Sequence, residues 1–108
     1  MTLKEKKLAG MIAKLAAEYL GRESNRTSLI TVIRTEILNR GKKAIVLFTV
    51  LPDSEEKAAL AFARRKRFDF RKFITKKKIL GFTPQIDFQI DIGEKNRQRI
   101  EKLLQESQ

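Results

Sequence analysis

Apolar residues recur along the chain with two different periods, and the changes of period divide it into elements. Leu8, Ile12, Leu15 and Tyr19 follow one another at spacings of four, three and four, which sets them on one face of a helix over residues 3–20 with Gly21 placed to end it. Arg22 to Ser28 is polar and reads as a connection. Leu29 to Ile37 contains Ile30, Thr31, Val32, Ile33 and Thr35, a β-branched run that predicts a strand. Ala44 to Leu51 is apolar on both faces, which predicts a second, more central strand, and Asn39-Arg40-Gly41-Lys42 supplies the turn of a hairpin between the two.

Pro52-Asp53-Ser54-Glu55-Glu56 reads as the start of a long helix, with Asp53 capping its first amides and Glu56 completing a capping box. The stripe of this helix, Ala59, Phe62, Phe70 and Phe73, has a gap that falls on Lys66. A straight helix would aim that ammonium at the core, where an unpaired charge is too costly to bury, so either the stem snorkels or the helix bends near residues 66–69, and the bend is the expected outcome. Phe68 lies off the stripe and suits either an anchor at the corner of the bend or an exposed stacking surface. Gly81 marks the helix end, Pro84 an extended entry, and Ile86 to Ile92 alternates apolar and polar as a third strand does. From Glu94 a short helix follows, with Ile100, Leu103 and Leu104 as a narrow stripe. The order predicts an α+β fold: a three-stranded sheet with helices packed on one face.

The 108 residues, 42% hydrophobic, suffice for one domain spanning 1–108. Charge changes the picture more, because 24 Lys and Arg against 13 Asp and Glu leave a net +11, and such an excess calls for an anionic partner, nucleic acid first. The absence of Cys and His excludes thiolate and imidazole metal sites, disulfides, and triad or imidazole catalysis. The longest uncharged stretch, residues 44–52, is too short to span a bilayer, and the charged N-terminus does not resemble a signal peptide, so a cytoplasmic protein is expected.

Nine cations fall within fifteen residues: Arg64, Arg65, Lys66, Arg67, Arg71, Lys72, Lys76, Lys77 and Lys78, with only Asp69 among them. A solubilising face mixes signs, so this run is read as a phosphate-contacting ridge. Phe68 interleaves with it and is included in the candidate RNA site, while Phe70 and Phe73 are assigned to the core. Asp87 and Asp91 share one strand face, but positions four apart on a strand lie ~13 Å apart, too far to hold one ion. No Ser or Thr has a base beside it and no glycine-rich phosphate loop is present, so no catalytic residue, metal or cofactor is expected.

Several strings, in order, resemble bacterial ribosome-binding factor A, from about Lys4 to Glu106. Thr31-Val32-Ile33-Arg34-Thr35-Glu36 is similar to that family's first strand, and Lys43-Ala44-Ile45-Val46-Leu47-Phe48 to its second. Leu51 to Glu56 resembles its strand-to-helix link, Phe70-Arg71-Lys72 its second helical segment, Thr83 to Phe88 its last strand, and Arg99 to Leu104 its closing helix. The resemblance implies a type II KH-like fold in which a helix-kink-helix junction, Ala-x-Gly in the family, falls on Lys66-Arg67-Phe68. The family's Asp-Pro loop is replaced by Ser24-Asn25-Arg26-Thr27, which makes this a divergent member.

The expected function is that of a non-catalytic, monomeric assembly factor that binds small-subunit ribosomal RNA in the pre-ribosomal particle through the basic junction. Two other readings stay open at this point: a general KH-type nucleic-acid binder, and a peripheral protein that meets anionic lipid or an acidic partner.

Overall fold

Thr2 and Glu5 cap each other at the start of the first helix, α1 (Leu3–Glu23). The Thr2 hydroxyl accepts from the Glu5 amide at 3.1 Å, and the Glu5 carboxylate accepts from the Thr2 amide at 3.2 Å. Two amides that a helix start leaves orphaned are thereby satisfied. The computed structural model describes residues 2–24 and 27–106. Gly21 does not end α1, which runs on to Glu23 and closes with the Ser24 amide bonded to the Leu20 carbonyl at 2.9 Å. One glycine weakens a helix by only about 1 kcal/mol, less than the burial of Tyr19 and Leu20 just before it supplies. Of the polar connection that follows, Asn25 and Arg26 lie outside the described residues.

Strands β1 (Leu29–Leu38), β2 (Lys43–Leu51) and β3 (Gln85–Ile90) form one sheet with β2 in the centre, antiparallel to β1 and parallel to β3. β2 is buried on both faces: Val46, Phe48 and Val50 join the core, and Leu47 and Thr49 are buried on the other side, Leu47 beside Arg34. A bulge between Val32 and Arg34 shifts the alternation of β1 by one residue, so that Ile30 and Val32 before it, and Thr35 and Ile37 after it, sit opposite core residues of β2. Asn39 and Arg40 turn the hairpin in the left-handed region, at φ 53° and 54°.

Helices α1, α2 (Glu56–Arg65) and α3 (Arg67–Lys77) cover one face of the sheet. Phe48, Phe70 and Phe88 are fully buried at the centre, where the Phe70 and Phe88 rings lie 5.8 Å apart and Tyr19 stands 5.4 Å from Phe70. The order of elements and the mixed sheet are those of the expected KH-like arrangement. The expected cap at Asp53 is absent: Asp53–Glu55 form a separate 3₁₀ turn, and Glu56, at the start of α2, instead accepts from Lys95 at 2.8 Å. Gly81 lies beyond the end of α3, which stops at Lys77 with Lys78 left-handed at φ 53°.

The third strand ends at Ile90, short of the predicted Ile92, because Asp91 turns to cap the last helix, α4 (Ile92–Glu106). One Asp91 oxygen accepts from the Glu94 amide at 3.0 Å and the other from Arg34 at 2.6 Å. Since β1 and β3 are the two edges of the sheet, the Arg34 side chain bridges them across β2, beside Leu47. α4 buries no residue; Lys95 pairs with Glu56 and Arg99 with Asp53, while Ile100, Leu103 and Leu104 are exposed.

Among the described residues, the buried hydroxyls Tyr19 Oη and Thr35 Oγ1 have no hydrogen-bond partner. A buried polar atom without a partner destabilises by about 1–3 kcal/mol. Thr35→Val, which keeps the shape and removes the hydroxyl, is therefore expected to raise stability by about 1 kcal/mol in urea denaturation. A lower midpoint would show that Thr35 has a hydrogen-bonding role in the folded protein.

Candidate nucleic-acid interface

The basic segment is two helices, not one. Phe62 lies four residues before Lys66 and Phe70 four after it, so a continuous helix that buries both rings would also bury the lysine. Instead, helical geometry lapses at Lys66, with φ −91° and ψ 3°, its amide shared between the Phe62 and Ala63 carbonyls at 3.2 and 3.1 Å. The Phe70 amide bonds the Lys66 carbonyl at 2.8 Å and starts α3. Lys66 ends half-buried, with its ammonium 6.0 Å from the centre of the Phe62 ring, an arrangement that lets the stem lie on apolar surface while the charge reaches water.

The cations around this junction divide into two groups. Arg64, Arg67 and Arg71, at spacings of three and four, form one stripe along the open edge of β3. Arg64 donates to the Phe88 carbonyl at 3.3 Å, Arg67 to Asp87 at 3.2 Å, and Arg71 to the Pro84 and Thr83 carbonyls at 2.9 and 2.8 Å. An unpaired strand edge is a template for pairing with another chain; Arg64 occupies one backbone carbonyl of it, Phe88, while Arg71 holds the two carbonyls just before the strand. Lys77 is engaged as well, 3.6 Å from Glu18 and 4.7 Å from the centre of the Phe73 ring. In the sequence Asp69 alone opposes the run; in the fold Asp87 and Glu18 oppose it, and Asp69 forms no ion pair among the described residues.

Arg65, Lys66, Lys72 and Lys76 make up the second group; Lys78 lies past the far end of α3, away from Phe68. None of the four has an ion-pair partner among the described residues. Phe68 stands among them with 76% of its surface exposed, which excludes the corner-anchor reading and leaves the ring open to a planar ligand. On one side Phe68, Lys72 and Lys76, one helical turn apart, border a shallow groove of about 370 Å³. On the other, Phe68, Arg67 and Arg71 face Gln85 and Ile86 of β3 across a groove of about 200 Å³. Phe70 is fully buried and Phe73 packs against Tyr19 at 5.2 Å, so both belong to the core as expected. A ring flanked by unpaired cations can stack a base while ammonium groups meet its phosphates.

Asp87 and Asp91 serve different partners, the arginine stripe and the Arg34–α4 cap, and the described residues hold no cluster of acids that could bind a metal ion. No helix among them is long and apolar enough to cross a membrane.

The chain is similar to known proteins over most of its length. The family model for ribosome-binding factor A matches residues 4–104. A ribosome-binding factor A of Thermobifida fusca (strain YX) is 35% identical over 101 residues, covering 91% of this chain and 67% of that protein. The crystal structure of ribosome-binding factor A from Thermus thermophilus is similar in fold, with a TM-score of 0.69 at 16% identity over 80% of this chain and 94% of that one. A Thermotoga maritima protein solved by NMR, described as a candidate ribosome binding factor A, gives a TM-score of 0.67 at 27% identity over 81% of this chain and 86% of that one.

Proposed function

Because the chain belongs to the ribosome-binding factor A family, we propose that it is a non-catalytic assembly factor that binds small-subunit ribosomal RNA on immature 30S particles in the cytoplasm. The observation that carries this reading is the group of four cations, Arg65, Lys66, Lys72 and Lys76, around an exposed Phe68, none of them with an ion-pair partner among the described residues. The protein acts by differential binding: it favours whichever ribosomal RNA arrangement offers a base to Phe68 and phosphates to Arg65, Lys66 and Lys72, and it makes and breaks no covalent bond. A lipid-inserting helix needs an apolar outer face, whereas α3 turns Phe70 and Ile74 inward and leaves only Phe68 outside.

Four phosphate contacts at the junction, from Arg65, Lys66, Lys72 and Lys76, set the expected salt dependence. Binding to immature small subunits, measured by co-sedimentation over a potassium chloride series, is expected to weaken with a slope of log K on log salt of about −4. A slope near zero would mean that the basic group does not meet phosphate, and the reading would fail.

A further inference from the structure

At the other end of α3, away from Phe68, the α3–β3 connection packs against the first turns of α1 and the β1–β2 turn. Leu8 and Met11 of α1 with Ile79, Leu80 and Phe82 of the connection floor a groove of about 530 Å³. Ile79 and Phe82 are 51% and 63% exposed. The charged residues lining the groove are Lys4, Lys7 and Arg40, and no acid lines it; Lys78 lies next in the chain to Ile79. None of these four cations has an ion-pair partner among the described residues.

Two of them are also held in an unfavourable backbone. Arg40 and Lys78 have φ of 54° and 53°, the left-handed region where glycine is the favoured residue, in a turn and just past a helix end. At both positions the chain carries a cation where glycine would fit the backbone better, and strain of this kind concentrates at binding sites.

We infer that this groove is a second RNA contact, in which an unpaired base lies against Phe82 and the apolar floor while Lys4, Lys7, Arg40 and Lys78 meet the flanking phosphates. The inference rests on the reading of the protein as an RNA binder and adds a site to it. Four unpaired cations around a shallow floor with one open ring match a strand that carries a charge at every unit and flat apolar bases between.

The test uses the full chain, a single-stranded twelve-nucleotide RNA and fluorescence anisotropy, with Arg40→Gly/Lys78→Gly at this groove and Lys66→Ala/Lys72→Ala at the junction. Glycine relieves the strain, so the first variant is expected to melt no lower than the parent while its affinity for RNA falls about tenfold and its salt slope flattens by about 1.4. Phe82→Ala is expected to weaken binding about tenfold as well. Unchanged affinity and slope in the glycine variant, with the junction variant weakened, would overturn the inference and leave the proposed function standing. The reverse pattern would support the groove and overturn the junction, and no effect from either would overturn both. RNA binding that survives in the glycine variant, with loss of affinity for an acidic Glu/Leu peptide or an anionic vesicle, would assign the groove another occupant and overturn the inference.

Discussion

Lys66→Glu together with Lys72→Glu is expected to weaken binding to immature small subunits at least about a hundredfold, with the circular dichroism spectrum and melting temperature unchanged. Neither lysine has an ion-pair partner among the described residues, so reversal removes no ion pair of the fold. It does set two carboxylates against phosphate, and like charges brought together cost several kcal/mol where about 1.4 kcal/mol already means tenfold. Arg67 would be a poor choice for the same experiment. It donates to Asp87 at 3.2 Å, so Arg67→Glu would face two acids on each other at the edge of β3 and confound lost binding with lost structure. Phe68→Ala is the neutral companion: with 76% of the side chain exposed it should leave stability alone, while the loss of one stacked base weakens binding by about 1–3 kcal/mol. Full co-sedimentation of the double reversal would show that the junction is not the contact.

The largest effect on stability is expected at Arg34. Its guanidinium reaches across the sheet to Asp91, which is 2% exposed, and Arg34→Leu would leave that carboxylate buried with only the Glu94 amide to answer it. Removing one partner of a buried pair costs about 3–5 kcal/mol; because Arg34 itself is half-exposed, about 2–3 kcal/mol is the expected loss, a fall in melting temperature of roughly ten degrees or more. Adding Asp91→Asn to Arg34→Leu is expected to restore part of it, since asparagine still caps α4 and carries no charge. A double variant no more stable than Arg34→Leu in thermal melts would mean that the buried charge is not the cause.

How much of this was legible beforehand depends on where each signal resides. The break at Lys66 was readable because it is local: two rings of one stripe bracket a lysine that cannot share their burial. The split of the cations was only half readable. Arg64, Arg67 and Arg71 share one face by spacing alone, but their partners are the Phe88 carbonyl of β3, the Asp87 side chain and the carbonyls just before the strand, 12 to 24 residues away in the chain, and no local pattern announces them. Thr2-x-x-Glu5 and Asp91-x-x-Glu94 both cap helices in the fold, and Asp91 stops the third strand, yet nothing local in the sequence ranks either above the similar signal at Asp53. The left-handed Arg40 and Lys78 were out of reach, because sequence reasoning expects glycine at such positions and a cation there looks like ordinary surface.

The proposed function requires that the junction between α2 and α3 contact the RNA of an unfinished small subunit. Ultraviolet crosslinking in growing cells, with both the bound RNA and the attached peptide identified, tests this most directly. The expected product is precursor small-subunit ribosomal RNA joined to the peptide that contains Phe68; RNA of other classes, or attachment confined to peptides outside residues 65–78, would contradict that contact.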